Sequence, residues 1–581
     1  MWATGCVYLY STCPDKDACH AGLIAGAAFA SIAAILQLKI LFPNLIATFQ
    51  HGINAQILRE QSGIPFASYM YHNILGGYLA FIFPLALYFG IYRESLVSLA
   101  AAIIIAVGVV ITSTRIGLGI TLLMYIITVA IIIFEGKKKD LLKVGLLGVI
   151  TVIAVLLILH SGNEKNDVTN ARSIIIQKTK AVSTDLSTLN TRTDIWKNAF
   201  NAFRHSPIIG FGAGSFEYAY RKYFDGNSYT GAAHSTIVKI GVELGLIGLF
   251  CFLFYLVGIS IALLKLLTER QYLFILLALL AGFLFSLIDF SFDVKSHVLT
   301  FFVISSAFFF SVPRHHNNTP QAKINGKGLA VFLTLIVCIL ANMLFTTRLN
   351  EFRTSVQNGD MLIEEGLPLN ALYSYRDAIL IMPLSTEGST KALSVLLQIH
   401  PAADKQQTKK AMHSEIKEYM GFLESRRDKD SEVYLTLGKS HALLGDKEKT
   451  DKYFSLALDY YPSSAYYVHE IAQFYANKKD FHAAMQIVRS FDPFIEKHRG
   501  QHNPRGNLVY LIRDIEAEIN YEQGNKVEAL KIAKMNVDDA KNSVFVTSSA
   551  RSRHFTTGDS LIESLKKKVD RYENNLKDKL L

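Results

Sequence analysis

The sequence predicts an all-helical protein in which a bundle of membrane-spanning helices is followed by a water-soluble domain of paired helices. Three observations predict this fold class. Apolar runs of about 20 residues, long enough to cross a bilayer as a helix, recur through roughly the first 350 of the 581 residues. Lys, Glu and Asp are concentrated in the remainder. That remainder also repeats small and aromatic residues with a period of about 34.

The apolar runs predict about nine spans, at residues 21–43, 73–91, 95–113, 116–134, 142–160, 237–264, 272–290, 297–313 and 328–347. Basic residues fall in alternate short loops, near positions 93, 137–143, 265–270 and 314–327. Such loops are retained in the cytoplasm. The loops 44–72 and 161–236, and the chain after residue 348, are therefore predicted to be extracytoplasmic. The first 20 residues lack the pattern of a cleavable signal peptide.

Composition argues against several functions. The net charge is +10, but Lys and Arg form no dense stripe interleaved with aromatic residues, so nucleic acid is not an expected partner. The five cysteines have neither zinc spacing nor a disulfide framework. Asp225, Asp289 and Asp293 are isolated along the sequence. We therefore predict no metal site, because a divalent cation needs several oxygen ligands together.

The second part of the chain repeats one pattern of small and aromatic residues. The first two groups are Gly359, Ala371, Tyr375, Ala378 and Pro383, and Tyr434, Leu437, Gly438, Phe454, Ala457 and Pro462; a weaker third is Ala472, Tyr475 and Ala484. These offsets are typical of tetratricopeptide repeats, whose stacked helical pairs present a concave surface to protein partners. A fourth pair is expected near 507–540, and an exposed charged helix after Ser560.

The polar segment from Arg192 to Gly248 carries most of the functional signal. Arg192 and Trp196 share one face of a predicted helix, which Asn190 or Thr191 caps and a proline ends. Three glycines follow at 210, 212 and 214. They predict a tight turn, whose backbone donors at Gly212 and its neighbours can bind an anion. A dinucleotide site is not predicted, because a serine replaces the third glycine of that fingerprint.

Four charged residues and a histidine lie on or near the predicted extracytoplasmic side. His234 precedes a span and is either a structural hydrogen-bonder or a base near neutral pH. Glu243, inside that span, marks either function or a buried hydrogen bond. Arg59, Arg115 and Arg192 present planar donors that suit diphosphate oxygens, although snorkelling alone explains Arg115 equally well. The glycines at 241, 245 and 248 predict a close helix-packing face.

Together these residues resemble the O-antigen ligase and O-antigen polymerase superfamily, whose members are polytopic, GT-C-like transferases. The resemblance covers roughly residues 50–310. Its most specific part is His234-Ser235-x9-Gly245-x-x-Gly248, which fits the ligase motif without a gap. The other matches are Arg59–Gly63 with Tyr71-His72-Asn73, Ser113-Thr114-Arg115, Arg192-x-x-x-Trp196 through Gly214, and Asp289-Phe290.

The resemblance implies a multi-pass enzyme of the bacterial inner membrane, active in lipopolysaccharide biosynthesis. It would move a glycan from undecaprenyl diphosphate to a lipid A-core, glycan or protein acceptor in the periplasm, with inversion and without a metal or cofactor. The implied catalytic residues are His234, which activates the acceptor, and Arg192 and Arg115, which hold the diphosphate. The substrate-binding candidates are Arg59, Trp196, Gly212 and Glu243.

Several alternatives stay open from the sequence. An O-antigen polymerase and a protein O-oligosaccharyltransferase belong to the same superfamily. A non-enzymatic scaffold would explain the repeats but not the arginines and the histidine. A transporter is disfavoured, because inverted internal repeats are not visible. We predict two domains: a membrane domain at 1–348 with a large periplasmic loop at 161–236, and a periplasmic repeat domain at 349–581.

Overall fold

A computed structural model describes residues 16–42, 65–67, 71–160, 187–224, 231–264, 269–289, 291–309, 326–402, 405–426, 430–497, 506–542 and 558–577. Within these ranges the chain forms helices and turns and no strand. The predicted all-α class is confirmed. Two compact units are distinguished: Met1–Phe216 with Thr230–Lys323, and Glu217–Tyr229 with Ile324–Leu581.

The helices up to residue 309 are α1 (Lys16–Leu36), α2 (His72–Ile91), α3 (Leu96–Ile111), α4 (Arg115–Phe134), α5 (Lys138–His160), α6 (Ser187–His205), α7 (Phe216–Lys222), α8 (Thr236–Leu264), α9 (Arg270–Ile288) and α10 (Lys295–Phe309). Among the described residues six helical segments, in α1, α2, α4, α5, α8 and α9, are long and apolar enough to cross a membrane. α3 and α10 contain shorter apolar helices, and the ninth predicted span lies within α11 (Gly326–Glu364). The chain is therefore a multi-pass membrane protein.

Helix α2 is the centre of the first unit. Every residue from Ile74 to Ile91 is buried. Close packing is possible because Gly76 and Gly77 lack side chains: an added Cβ would lie 2.5 Å from the Thr114 hydroxyl and 2.4 Å from the Phe285 ring. By contrast, α5 exposes a long apolar stripe that includes Leu142 and Leu156. An apolar face of this length on a spanning helix is suited to lipid.

Three of the four basic loops predicted to share one side, near residues 93, 137–143 and 270, lie together at one end of this unit; residues 314–325 of the fourth lie outside the described residues. Three ion pairs join them, Arg93 with Asp17 at 3.1 Å, Lys143 with Glu94 at 3.2 Å, and Arg270 with Glu135. Loops separated by more than 170 residues thus meet at the same end, as alternating spans require. Which side of the membrane they face stays a prediction.

The second unit consists of helices packed mainly in antiparallel pairs. Its helices are α11 (Gly326–Glu364), α12 (Pro368–Ile381), α13 (Thr386–Ile399), α14 (Gln406–Arg426), α15 (Ser431–Leu443), α16 (Lys447–Tyr460), α17 (Ala465–Asn477), α18 (Phe481–Ser490), α19 (Asp492–Lys497), α20 (Gly506–Glu522), α21 (Lys526–Asn542) and α22 (Gly558–Lys577).

Two glycine contacts explain the periodicity of the second unit. An added Cβ on Gly359 would lie 2.4 Å from the Tyr375 ring, and one on Gly438 would lie 2.4 Å from the Phe454 ring. Each aromatic ring therefore needs a glycine on the partner helix, 16 residues earlier in both cases. The fourth predicted pair near 507–540 is confirmed as α20 and α21.

Two expectations for this unit need correction. The 34-residue rhythm misses the pair α13 and α14, whose second helix is longer than a standard repeat helix. The tail helix α22 is not simply exposed, because Leu565 and Tyr572 are 3% and 1% exposed and pack in the cores formed with α20 and α21. The domain boundary at residue 348 stays a prediction; α11 runs across it from Gly326 to Glu364.

Candidate functional site

The carboxylate of Asp289 gathers residues from four parts of the first unit. Asp289 ends α9 and is 1% exposed. Its Oδ2 accepts hydrogen bonds from Asn73 Nδ2 at 3.1 Å and from an Arg192 guanidinium nitrogen at 3.3 Å. Its Oδ1 lies 3.5 Å from His234 Nδ1. The structure therefore joins two of the predicted catalytic residues, Arg192 and His234, through one buried carboxylate.

Tyr71 forms the next layer of this cluster. Its hydroxyl accepts a hydrogen bond from Asn73 Nδ2 at 3.1 Å. Burial raises the pKa of Tyr71, the negative charge of Asp289 adds to that rise, and Arg192 opposes it. At neutral pH Tyr71 is therefore a neutral group that can hydrogen-bond.

His234 is held in an uncommon backbone conformation just before α8 begins. Its φ is +47°, in the left-handed region that non-glycine residues seldom adopt. Trp196, on α6, fixes the preceding residue by donating its indole N–H to the Ala233 carbonyl at 3.1 Å. Strain of this kind persists where surrounding contacts hold the backbone, and it is concentrated at functional sites. Trp196 thus positions the backbone that presents the imidazole.

The glycine motif after His234 breaks helix α8 and does not form a helix-packing face. Gly245 has φ +64° and ψ −159°, and an added Cβ would lie 2.3 Å from the Ile208 carbonyl oxygen. The residues around this break hydrogen-bond to the turn that follows α6: Phe211 N to Val242 O, Gly212 N to Glu243 O, Leu246 N to Pro207 O, and Ile247 N to Ile208 O, at 2.8–3.2 Å. The expectation of a close helix–helix face is wrong at Gly245, whose close neighbour is a loop backbone. An added Cβ on Gly241 would make only an ordinary contact with Phe203 of α6, at 3.7 Å, and one on Gly248 would meet Leu244 of its own helix.

The tight turn predicted at Gly210, Gly212 and Gly214 is confirmed, since all three have positive φ. Gly212 donates its N–H to the Glu243 carbonyl at 2.8 Å, so that donor is already used inside the protein. The Glu243 carboxylate accepts the Phe216 N–H at 3.2 Å, where α7 begins, and lies 4.0 Å from Lys239. Both residues therefore hold the loop in place, and their contact with substrate stays a prediction.

Arg115 is exposed at the first residue of α4. The residue before it, Thr114, is 2% exposed and donates its hydroxyl to the His72 carbonyl at 3.2 Å. Because that side chain does not cap the helix, the first-turn N–H groups of α4 and the guanidinium group provide positive charge together. His72 adjoins Asn73, so this positive helix end is connected to the Asp289 cluster through the start of α2.

Two of the predicted residues, Arg59 and Asp225, lie outside the described residues. Arg192 is in the second turn of α6, which begins by Ser187, so the expectation that Asn190 or Thr191 caps this helix is wrong. Within the described ranges no three His, Cys, Asp or Glu side chains are grouped as metal ligands would be.

Asp289 and Asn73 are the functional candidates that the sequence did not single out by chemistry. Both belong to the segments that resemble the family; Asp289 is isolated from other carboxylates along the sequence, but in the structure it meets Asn73, Arg192 and His234. The signal that they share is their position: each is a polar residue at the predicted extracytoplasmic end of an apolar span. Asp293, four residues later, pairs instead with Lys239 at 2.6 Å.

Comparison with known proteins supports the resemblance drawn from the motifs. Residues 99–253 match the family model described as O-Antigen ligase, which confirms the predicted relationship over that segment. The segment includes Arg115, Arg192 and His234. No curated protein matches the chain. Among the matching solved structures is the crystal structure of YrrB, described as a TPR protein with an unusual peptide-binding site; it is 14% identical, the match covers 37% of this chain and 90% of that chain, and the TM-score is 0.22.

Proposed function

We propose that this membrane protein transfers a glycan from a lipid diphosphate, undecaprenyl diphosphate, to an acceptor hydroxyl on the periplasmic side of the bacterial inner membrane. The O-antigen ligase match at residues 99–253 supports a membrane glycosyltransferase or ligase of that family. The observation that carries the finer proposal is the meeting of Arg192 and His234 on the carboxylate of Asp289. A base and a phosphate-binding cation are the two groups that such a transfer needs.

In the proposed reaction, His234 takes the proton of the acceptor hydroxyl. Its Nδ1 faces Asp289 at 3.5 Å, an arrangement that favours the tautomer protonated on Nδ1 and makes Nε2 the nitrogen that accepts the proton. The acceptor oxygen then forms a bond to the anomeric carbon, and the bond from that carbon to the diphosphate oxygen breaks. A single displacement of this kind inverts the anomeric centre and requires no metal ion.

The leaving diphosphate is stabilised by arginines in this proposal. Arg192 is held in one orientation by Asp289, and its side chain is 13% exposed, so little rearrangement is needed when charge develops on the phosphate oxygens. Arg115 adds a second guanidinium group beside the positive end of α4. Arg59, which is predicted to lie on the same side, joins them in this proposal.

Substitution of the two central residues tests this proposal. We expect Arg192→Ala and His234→Ala to abolish release of free lipid diphosphate in native membranes, a readout that does not depend on knowing the acceptor. Arg204→Ala is the matched control, since Arg204 is exposed in the last turn of the same helix as Arg192. All three variants should be recovered in the membrane fraction. Transfer at the wild-type rate by either alanine variant would refute the assigned roles.

The identity of the acceptor is tested separately. Deleting the gene and profiling surface glycans distinguishes three outcomes: loss of capped lipopolysaccharide indicates a ligase, shortened chains a polymerase, and loss of glycoprotein a protein transferase. The non-enzymatic alternative, a scaffold that recruits partners through its repeats, predicts instead that the His234→Ala protein supports normal surface glycans.

A further inference from the structure

The second unit begins directly where the last apolar run ends. Residues 328–347 are the ninth predicted span, and α11 continues from them without a break to Glu364. Leu349 and Phe352, only two and five residues later, already pack in the core of the first helical pairs. The repeats are therefore joined to the ninth predicted span without a break in the helix, and that prediction places the start of the repeat domain at the membrane surface.

The turn after α12 comes back toward that surface. The ring of Tyr375 packs on Gly359 and its hydroxyl donates to Asp360 at 2.7 Å, which sets residue 375 of α12 level with residues 359–360 of α11. The two helices are antiparallel, because residues 365–367 are the whole connection between them. With a rise of 1.5 Å per residue, Leu380 then lies about 11 Å beyond the end of the apolar run. Gly388 of α13 lies beside Ala378 and Ile379, so Leu384, in the turn between the two helices, lies closer to the run, toward the interfacial region.

This turn is apolar and exposed. Leu380, Ile381, Met382, Pro383 and Leu384 are consecutive. Ile381 and Met382 pack against the repeat core, whereas Leu380 and Leu384 are 80% and 72% exposed. On α11, at the end of the apolar run, Leu344 and Phe345 are 69% and 52% exposed. Exposed leucines on a water-soluble surface are unfavourable when grouped, but at a bilayer interface they are stabilising.

Cationic side chains flank this surface at the level of the lipid headgroups. Arg348 follows the apolar run immediately; its side chain is 66% exposed and lies 3.7 Å from the exposed carboxylate of Glu351. Arg353 is also exposed, slightly more than one helical turn later. Arginine at this depth is attracted to anionic phospholipid headgroups. The apolar turn and the two arginines thus have the composition of a membrane-contacting surface.

We propose that Leu380 and Leu384 insert into the outer headgroup region of the same bilayer that α11 crosses, so that the first repeat is docked on lipid. The bilayer is the favoured partner of this apolar turn. Because α11 continues from the apolar run into the repeat core without a break, little space is left between the turn and the membrane. This proposal does not depend on the proposed glycan transfer. Its consequence is that the first repeat is held against the lipid headgroups.

Lipid-based quenching tests the docking in the full chain. A fluorophore is attached at Leu380→Cys or Leu384→Cys in a protein whose five native cysteines are replaced by alanine, in nanodiscs of phosphatidylethanolamine and phosphatidylglycerol. Controls are Leu369→Cys, at the opposite end of α12, and Val527→Cys on α21; these side chains are 56% and 73% exposed and apolar. We expect quenching by headgroup-proximal nitroxide lipid to be at least about twofold stronger at 380 and 384 than at 369 and 527. Iodide in the water should show the opposite order.

Two outcomes would overturn the proposal. Equal lipid quenching at all four positions would mean that the turn remains in water. Protection of positions 380 and 384 from both lipid nitroxide and iodide would mean that protein, not lipid, covers the turn. Because exposed leucines tolerate cysteine without loss of core packing, a failure to fold would not imitate either result.

Discussion

Replacing Asp289 by asparagine tests whether this carboxylate organises the candidate site. Asp289 is 1% exposed, and its charge faces Arg192 and His234. Asparagine has the same shape and keeps an acceptor for Asn73, so the change removes mainly the charge. Removing one partner of a buried ion pair costs about 3–5 kcal/mol. The 13% exposure of the Arg192 side chain allows some hydration, so we expect about 2–3 kcal/mol of lost stability.

The effect on transfer should be larger than the effect on stability. Without the carboxylate, His234 loses the group that selects its tautomer, and Arg192 loses the group that orients it toward phosphate. An aspartate-to-asparagine change behind a catalytic histidine costs about 10⁴-fold in serine proteases, and loss of a preorganised charge-stabilising group costs about 10²–10³-fold. We therefore expect Asp289→Asn to slow transfer by about 10²–10⁴-fold, mostly in kcat.

The assay follows the initial rate of lipid diphosphate release in native membranes, normalised to the amount of folded protein. Asp293→Asn is the control for charge: Asp293 is four residues away, its side chain is 30% exposed, and it pairs with Lys239 outside the cluster. It should change the rate by less than about threefold, since exposed ion pairs contribute about 0–1 kcal/mol. A near-normal rate for Asp289→Asn, or equal losses in both variants, would refute the reasoning.

Three further predictions follow from the described contacts. Gly245→Ala should lower the thermal unfolding midpoint, because a Cβ there meets the Ile208 carbonyl at 2.3 Å and φ is +64°; Gly258→Ala on the same helix, where nothing lies within 4 Å, should leave it unchanged or raise it. Tyr460→Ala should speed hydrogen exchange in residues 217–224, since the Tyr218 ring lies 5.4 Å from the Tyr460 ring; unchanged exchange would show that this contact does not order the segment. Glu470→Gln should destabilise the second unit by on the order of 1–2 kcal/mol at pH 7, because hydrogen bonding to His469, and then the charge of Lys439, lower the pKa of Glu470 to about 2. A carboxylate with a lowered pKa stabilises the fold above its unfolded pKa, so the difference between wild type and variant should shrink as pH falls from about 4.5 toward 2, and a difference that grows there would contradict the assignment.

The sequence by itself determined the class of the fold and most of its elements. Apolar runs define spanning helices because a bilayer leaves the backbone no partner but itself. Gly359 and Gly438 define helical pairs because only glycine admits an aromatic ring at that spacing. The motif around His234 could also be identified from the sequence, since its residues are close together in the chain and their spacing is characteristic of the family it resembles.

Only the tertiary structure decided which groups meet. Asn73 reaches Asp289 across 216 residues and Arg192 reaches it across 97, and no local spacing reports such contacts. The spacing of the glycines after His234 predicts a helix-packing face. Such a spacing cannot reveal that a loop distant in the sequence replaces the backbone hydrogen bonds lost at Gly245. Hydrophobic periodicity reports which face of a helix is buried. The identity of the polar partners depends on how the spans are arranged around α2, because a buried charge is stable only where that arrangement supplies its partners.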